Sequence, residues 1–122
     1  MSIATRQFGL DSEGFASEFL KKKGYRILER NYRTHRGEMD IVAEDAGDLV
    51  FVEVKARRGD QFGGPHAAVG WRKQQQLIRV AVHYMARHRI HNRNCRFDLV
   101  LISEDSLQDR KIDLIRNAFD VP

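Results

Sequence analysis

The chain has 122 residues, 42% of them hydrophobic and 31% charged, which suits one globular domain with one proper core. No apolar run nears the ~20 residues of a membrane helix, the start of the chain carries no signal-peptide core, and the lone Cys95 excludes an intramolecular disulfide framework. A cytoplasmic protein is therefore expected, and its net charge of +4 is unevenly spread. The first sixty residues hold eleven of the seventeen acids, and none lies between Gln61 and Phe97. That stretch carries Arg72, Lys73, Arg79, Arg87, Arg89, Arg93, Arg96 and four histidines, a pattern that points to a polyanionic partner.

In chain order, residues 1–10 read as a loose arm and residues 11–122 as a single domain. Asp11 or Ser12 can cap a helix reaching about Lys23, with Gly24 as its stop. Phe15, Ala16, Phe19 and Leu20 form its apolar stripe. Tyr25 to Tyr32 reads as a strand that buries Ile27 or Leu28. Gly37–Glu44 and Leu49–Ala56 form a hairpin around the turn Asp45-Ala46-Gly47-Asp48. Gly59 to Pro65 is a Gly-rich loop able to border a site. It lacks the Gly-Lys-Ser/Thr of a phosphate-binding loop.

A long helix spans roughly Trp71 to His88, with Leu77, Ile78, Ala81, Val82 and Met85 as its buried face. Arg72, Gln76, Arg79, His83 and Arg87 form one outer stripe. Trp71 and Phe62 could stack on bases, but core packing or anchoring of the helix start is the plainer expectation. His88, His91 and Cys95 make a poor zinc set. Strands follow at Cys95–Ser103 and Lys111–Arg116. The order α-β-β-β-α-β-β implies an α/β fold, a central mixed sheet with a helix on either face.

The hairpin holds the chemistry. The simplest pairing sets Glu44 against Leu49, Asp40 against Glu53 and Glu38 against Lys55. Directly opposed like charges destabilise a sheet. Glu53 and Lys55 share a strand face that is otherwise apolar, where unpaired charge is costly. A ladder of ion pairs, with Glu38 neutralising Lys55, would leave Asp40 and Glu53 opposed. A hard divalent cation such as Mg2+, held by Asp40, Glu53 and the backbone carbonyl of Val54, accounts for all of them. Lys55 would then orient or deprotonate the attacking water and offset charge on a phosphate.

Asp40 followed by Glu53-Val54-Lys55 on adjacent strands resembles the PD-(D/E)XK nuclease superfamily, with its restriction-endonuclease-like fold. Gly37-Glu-Met-Asp-Ile-Val-Ala43, Val50-Phe-Val-Glu-Val-Lys-Ala-Arg-Arg58, Phe62-Gly-Gly-Pro65, Lys73 and Cys95-Arg-Phe-Asp-Leu-Val100 are similar to the YraN-like family of small bacterial proteins. The likeness covers about residues 11 to 120, and the family is similar in plan to archaeal Holliday-junction resolvases. Met39 stands where the superfamily has its nominal proline.

The resemblance implies a Mg2+-dependent (or Mn2+-dependent) endonuclease acting on DNA. Glu13 would be a further acid from the first helix, and it shares a helical face with Ala16 and Leu20, whereas Glu18 reads as a surface acid. Lys73 or Gln74 would border the metal site, Gln74 the better placed by face. Asp98 matches a family position, although pairing with Arg96 or a helix end is the simpler role. Arg57, Arg58, Arg72, Lys73, Arg79 and Arg87 are the expected nucleic-acid contacts. Cutting a junction would call for a homodimer. A nucleic-acid-binding module that keeps the fold but cleaves little is the alternative.

Overall fold

The computed structural model describes residues 3–58, 69–104 and 109–120, with side chains from Ser12 to Arg57 and through the two later stretches. The loop Gly59 to Pro65, Phe62 and the Arg58 side chain lie outside the described residues. Helix α1 (Ile3–Lys22) starts well before Asp11. The expected loose arm is thus helical from Ile3, and neither Asp11 nor Ser12 is its N-cap. No proline interrupts this stretch, and Gly9 costs only ~1 kcal/mol relative to alanine inside a helix. The helix stops where foreseen. Gly24 takes φ 96°, and the Tyr25 N–H turns back to the Leu20 carbonyl at 2.9 Å.

Five strands and a second helix follow: β1 (Arg26–Thr34), β2 (Gly37–Asp45), β3 (Asp48–Arg58), α2 (Trp71–Arg87), β4 (Cys95–Glu104) and β5 (Arg110–Ile115). They form one sheet in the order β1-β2-β3-β4-β5. The β3–β4 pair, joined across α2, is parallel and the other neighbours are antiparallel. The α-β-β-β-α-β-β order and mixed α/β sheet agree with the sequence expectation and are consistent with a restriction-endonuclease-like fold. Among the described residues no helix is long and apolar enough to cross a membrane.

Alternation along β3 splits the core in two. Leu49 and Phe51 pack with Leu77, Val80, Ala81 and Tyr84 of α2. Val50 and Val52 pack with Ala16 and Leu20 of α1. Both sheet faces are covered, which explains the near-continuous apolar run of β3. Val82, expected in the buried face of α2, is instead 55% exposed. The buried positions Leu77, Val80, Ala81 and Tyr84 follow an i, i+3, i+4, i+7 pattern, and Val82 falls off that stripe. Trp71 is 71% exposed, so it is no core anchor.

The hairpin register agrees with the sequence reading near the turn, with Glu44 opposite Leu49 and Asp45 opposite Asp48. It departs at the far end. The β2–β3 ladder stops at Ile41–Val52, so Asp40 and Glu53 are not ladder partners, nor are Glu38 and Lys55. Continued alternation would send the Val54 N–H to the Met39 carbonyl. Asp40 Oδ2 accepts it instead, at 2.8 Å. Met39 and Ile41, two residues apart, pack on opposite faces of the sheet, so the side-chain alternation breaks at Asp40. Asn31, across from Asp40 between the pairs Arg30–Ile41 and Tyr32–Met39, takes the left-handed φ of 55°. Both strands therefore kink at one level, and β2 parts from β3 there.

Candidate metal centre and active site

The parting of β2 and β3 is filled by acids from several elements. Glu13 of α1, Glu38 and Asp40 of β2 bring one carboxylate oxygen each to within 4.8 Å of one another. Glu53 of β3 touches the cluster from the other side, within hydrogen-bond reach of Asp40. Glu53 is only 7% exposed, a buried charge on an otherwise apolar face.

The electrostatics follow from that crowding. Burial pushes the Asp40 carboxyl up to about 8, and the Glu53 carboxylate beside it adds to the shift. The Val54 N–H pulls the other way. Burial also raises Glu13 to about 7, with the charge of Asp40 as the next cause, while a hydrogen bond from Asn31 opposes it. Without a cation these acids hold protons that ordinary carboxylates would lose well below neutrality.

One basic group meets the acids and a second lies farther along β3. Lys73 Nζ lies 3.2 Å from Glu53 Oε2. Lys55 sits two residues beyond Glu53 on the same strand face, half-buried, with no ion pair among the described residues. Gln74, favoured by face, is turned elsewhere. Its Nε2 donates to the Val69 carbonyl at 2.9 Å and ties down the start of α2. At the first turn of a helix the lysine stem is long enough to reach across, which a face assignment based on Cβ direction alone does not register. Glu38 does not neutralise Lys55. It faces Arg33 across the β1–β2 ladder, 3.6 Å from the guanidinium, and belongs to the acid cluster.

Asn31 is the residue that sequence reasoning missed, and Glu38 is one that it assigns to Lys55 rather than to the acid cluster. Both depend on the β1–β2 register, which no periodicity reveals. An asparagine interrupting a strand was the available signal, since Asn tolerates a left-handed φ.

Asp98 takes the structural role. Arg96 Nε donates to its Oδ1 at 3.0 Å, the Tyr25 hydroxyl to its Oδ2 at 2.6 Å, and the Asn117 N–H to its Oδ1 at 3.0 Å. Arg96 also bonds Asp45 at 2.6 Å and Asp48 at 3.0 Å. This network ties the hairpin turn to β4, at the end of β2 remote from Asp40. Cys95 is half-buried against Met85. His88 packs on Tyr84, with ring centroids 4.2 Å apart.

The expected nucleic-acid residues are more dispersed. Arg57, Arg72, Arg79 and Arg87 are exposed, and Arg87 lies over the Tyr32 ring at 6.0 Å. Gln76 drops out of the outer stripe, donating to the Arg36 carbonyl at 3.1 Å.

Comparison with known sequences agrees with the likeness read from the motifs. Residues 12–102 match the family described as "Uncharacterised protein family UPF0102". A UPF0102 protein of Alkaliphilus metalliredigens is 45% identical, over 94% of this chain and 99% of its own length. One of Desulfosudis oleivorans is 44% identical over 94% of this chain and 91% of its own. One of Caldicellulosiruptor saccharolyticus is 44% identical over 93% and 98%. The chain belongs to the UPF0102 family, the YraN-like group of its motifs.

Proposed function

We propose that this protein is a Mg2+-dependent nuclease that hydrolyses phosphodiester bonds in DNA, with branched repair or recombination intermediates as its substrate class. One observation carries the reading: where the hairpin opens, Asp40 of β2 is met by Glu13 of α1 and Glu38 on one side and by Glu53 of β3 on the other, with Lys55 two residues beyond Glu53. A purely structural role gives no reason to collect mutually repelling carboxylates.

The donor set fits a hard cation. Every side-chain ligand is a carboxylate, and Mg2+ and Mn2+ favour oxygen. Asp40 and Glu53 would hold the ion, with the Val54 carbonyl and Glu13 completing the protein's share. Bound there, the metal supplies Lewis-acid activation of a phosphoryl oxygen and lowers the pKa of a coordinated water. Lys55 contributes a positive Nζ toward the non-bridging phosphate oxygens, where charge accumulates in the transition state. A hydrogen bond from Asn31 favours the charged form of Glu13, the form that would bind a cation.

A second reading, a nucleic-acid-binding module that cleaves little, is favoured by the Lys73–Glu53 pair. There a lysine ammonium already supplies the positive charge that a metal would bring.

The test is incubation of the protein with linear, single-stranded and branched DNA in Mg2+ or Mn2+, beside Asp40→Asn and Lys55→Ala. Metal-dependent cleavage that falls at least ~100-fold in both variants is the expected outcome. Salt-sensitive binding without cleavage supports the module. Absence of both removes the nucleic-acid reading altogether.

A further inference from the structure

Two hollows continue from the acid cluster along α2. The first is lined by Arg33, Gly37, Glu38, Lys73 and Gln76. Glu38 belongs to the acid cluster and Lys73 pairs with Glu53, so this hollow opens directly from the candidate site. The second is lined by His35, Arg36, Ile78, Arg79, Val82 and His83. Between them Gln76 of α2 meets Gly37 and bonds the Arg36 carbonyl, so a ligand running from one hollow to the other passes over this side chain.

The wall facing α2 is the β1–β2 turn, and that turn is held in shape. Thr34 Oγ1 accepts the Arg36 N–H at 3.0 Å and donates to the Gly37 carbonyl at 3.3 Å. The side chains of His35 and Arg36 are left exposed. Arg36 and Arg79 have no carboxylate partner among the described residues, so the second hollow is cationic. Its floor is aliphatic, with Val82 more than half exposed.

Charge decides the occupant. An unneutralised basic hollow with an apolar floor suits a chain of phosphates with sugars and bases between them. An acidic protein segment would meet Glu38 and the carboxylate cluster at one end, a mismatch that a metal-bound phosphate would not meet. We infer that the cleft between α2 and the β1–β2 turn seats one nucleic-acid strand running from the acid cluster, with Arg36 and Arg79 binding its phosphates. This rests on the nuclease reading and adds a path and a length to it. Lys73 to His83 spans about 15 Å of helix axis, roughly four nucleotides at a stacked rise of about 3.4 Å.

The experiment measures binding of fluorescent single-stranded oligonucleotides of about 2 and about 12 nucleotides, below and above that reach. Ca2+ stands in for Mg2+, neutralising the acid cluster while slowing cutting. The proteins are wild type, the double variant Arg36→Glu/Arg79→Glu, and Val82→Glu, with circular dichroism and sedimentation as controls. All three side chains are exposed, so the fold should survive.

Charge reversal is expected to weaken the longer oligonucleotide at least tenfold and to leave the shorter one unchanged. Its log–log salt slope should flatten by about 1.4, for two single-strand phosphate contacts. Val82→Glu should weaken the longer oligonucleotide in the same sense. Unchanged binding of the longer oligonucleotide, while wild type still binds and cuts DNA, overturns the strand path and leaves the nuclease reading standing. So does a drop in sedimenting mass on charge reversal, which makes this face a contact between copies of the chain. Wild type that neither binds nor cuts any DNA overturns the nuclease reading, and the path with it.

Discussion

Asp40 serves two demands that pull in opposite directions. Its Oδ2 accepts the Val54 N–H, a bond that favours the carboxylate, while burial and Glu53 favour the acid. Asp40→Asn removes the repulsion and keeps an acceptor for Val54. The metal-free variant is expected to melt higher than wild type at about pH 8, where Asp40 titrates, and to lose Mg2+-dependent stabilisation; calorimetry with and without Mg2+ checks both. Lys73 offers the complementary case. Removing one partner of a fully buried pair costs ~3–5 kcal/mol. Lys73 is 38% exposed, so solvent screening reduces that to about 1–2 kcal/mol for Lys73→Ala. Urea unfolding in EDTA measures the loss, and Mg2+ should recover part of it by supplying the missing positive charge. The sequence made Asp40, Glu53 and Lys55 legible because hairpin spacing alone brings them near one end. It ranked Gln74 over Lys73 because Cβ direction says nothing of how far a long side chain reaches.

At the scale of elements, the β2–β3 turn and the β1–β2 turn set the site. The first is a two-residue loop, Ala46 at φ 51° and Gly47 at φ 88°, between the paired Asp45 and Asp48. Both left-handed residues match the twist of the hairpin, but alanine there costs roughly 1 kcal/mol. Ala46→Asn or Ala46→Gly is expected to stabilise the fold by about 0.5–1 kcal/mol without altering the site, as read by chemical unfolding. At the second turn, Gly37 has φ 144°, and a Cβ there would stand 2.6 Å from Gln76 Nε2. Gly37→Ala should cost about 1–3 kcal/mol. A Gln76→Ala background should return only the share due to contact, because the backbone strain persists; a double-mutant cycle separates the two. The alternating and 3.6-residue patterns made the elements legible. The kink at Asn31 and Asp40 was not, because it arises from pairing between β1 and β2 and leaves no period in either strand.

For the whole molecule, the acids make folding depend on pH in an unusual direction. Asp40 and Glu13 have folded values near 8 and 7, above their ordinary 3.8 and 4.5. Within that window the native state holds protons that the unfolded chain has released, so stability falls as pH rises. The metal-free protein is expected to melt lower at about pH 9 than at about pH 5, and Mg2+ should flatten the curve, stabilising most where the acids are ionised. A profile that instead rises toward alkaline pH would mean that the cluster is neutralised some other way. The hairpin also joins two unlike ends. Its turn is pinned to β4 by Arg96 through Asp45, Asp48 and Asp98, while its open end carries Asp40, about 17 Å of strand away. The stretches from Asp40 to Asp45 and from Asp48 to Glu53 are therefore fixed lengths. One residue inserted between Asp40 and Asp45 slips that strand against its anchored end and carries Asp40 away from Glu53. One inserted at Ala46-Gly47 falls between the anchors and lengthens only the loop, so each strand works as a ruler that tolerates substitution and forbids insertion.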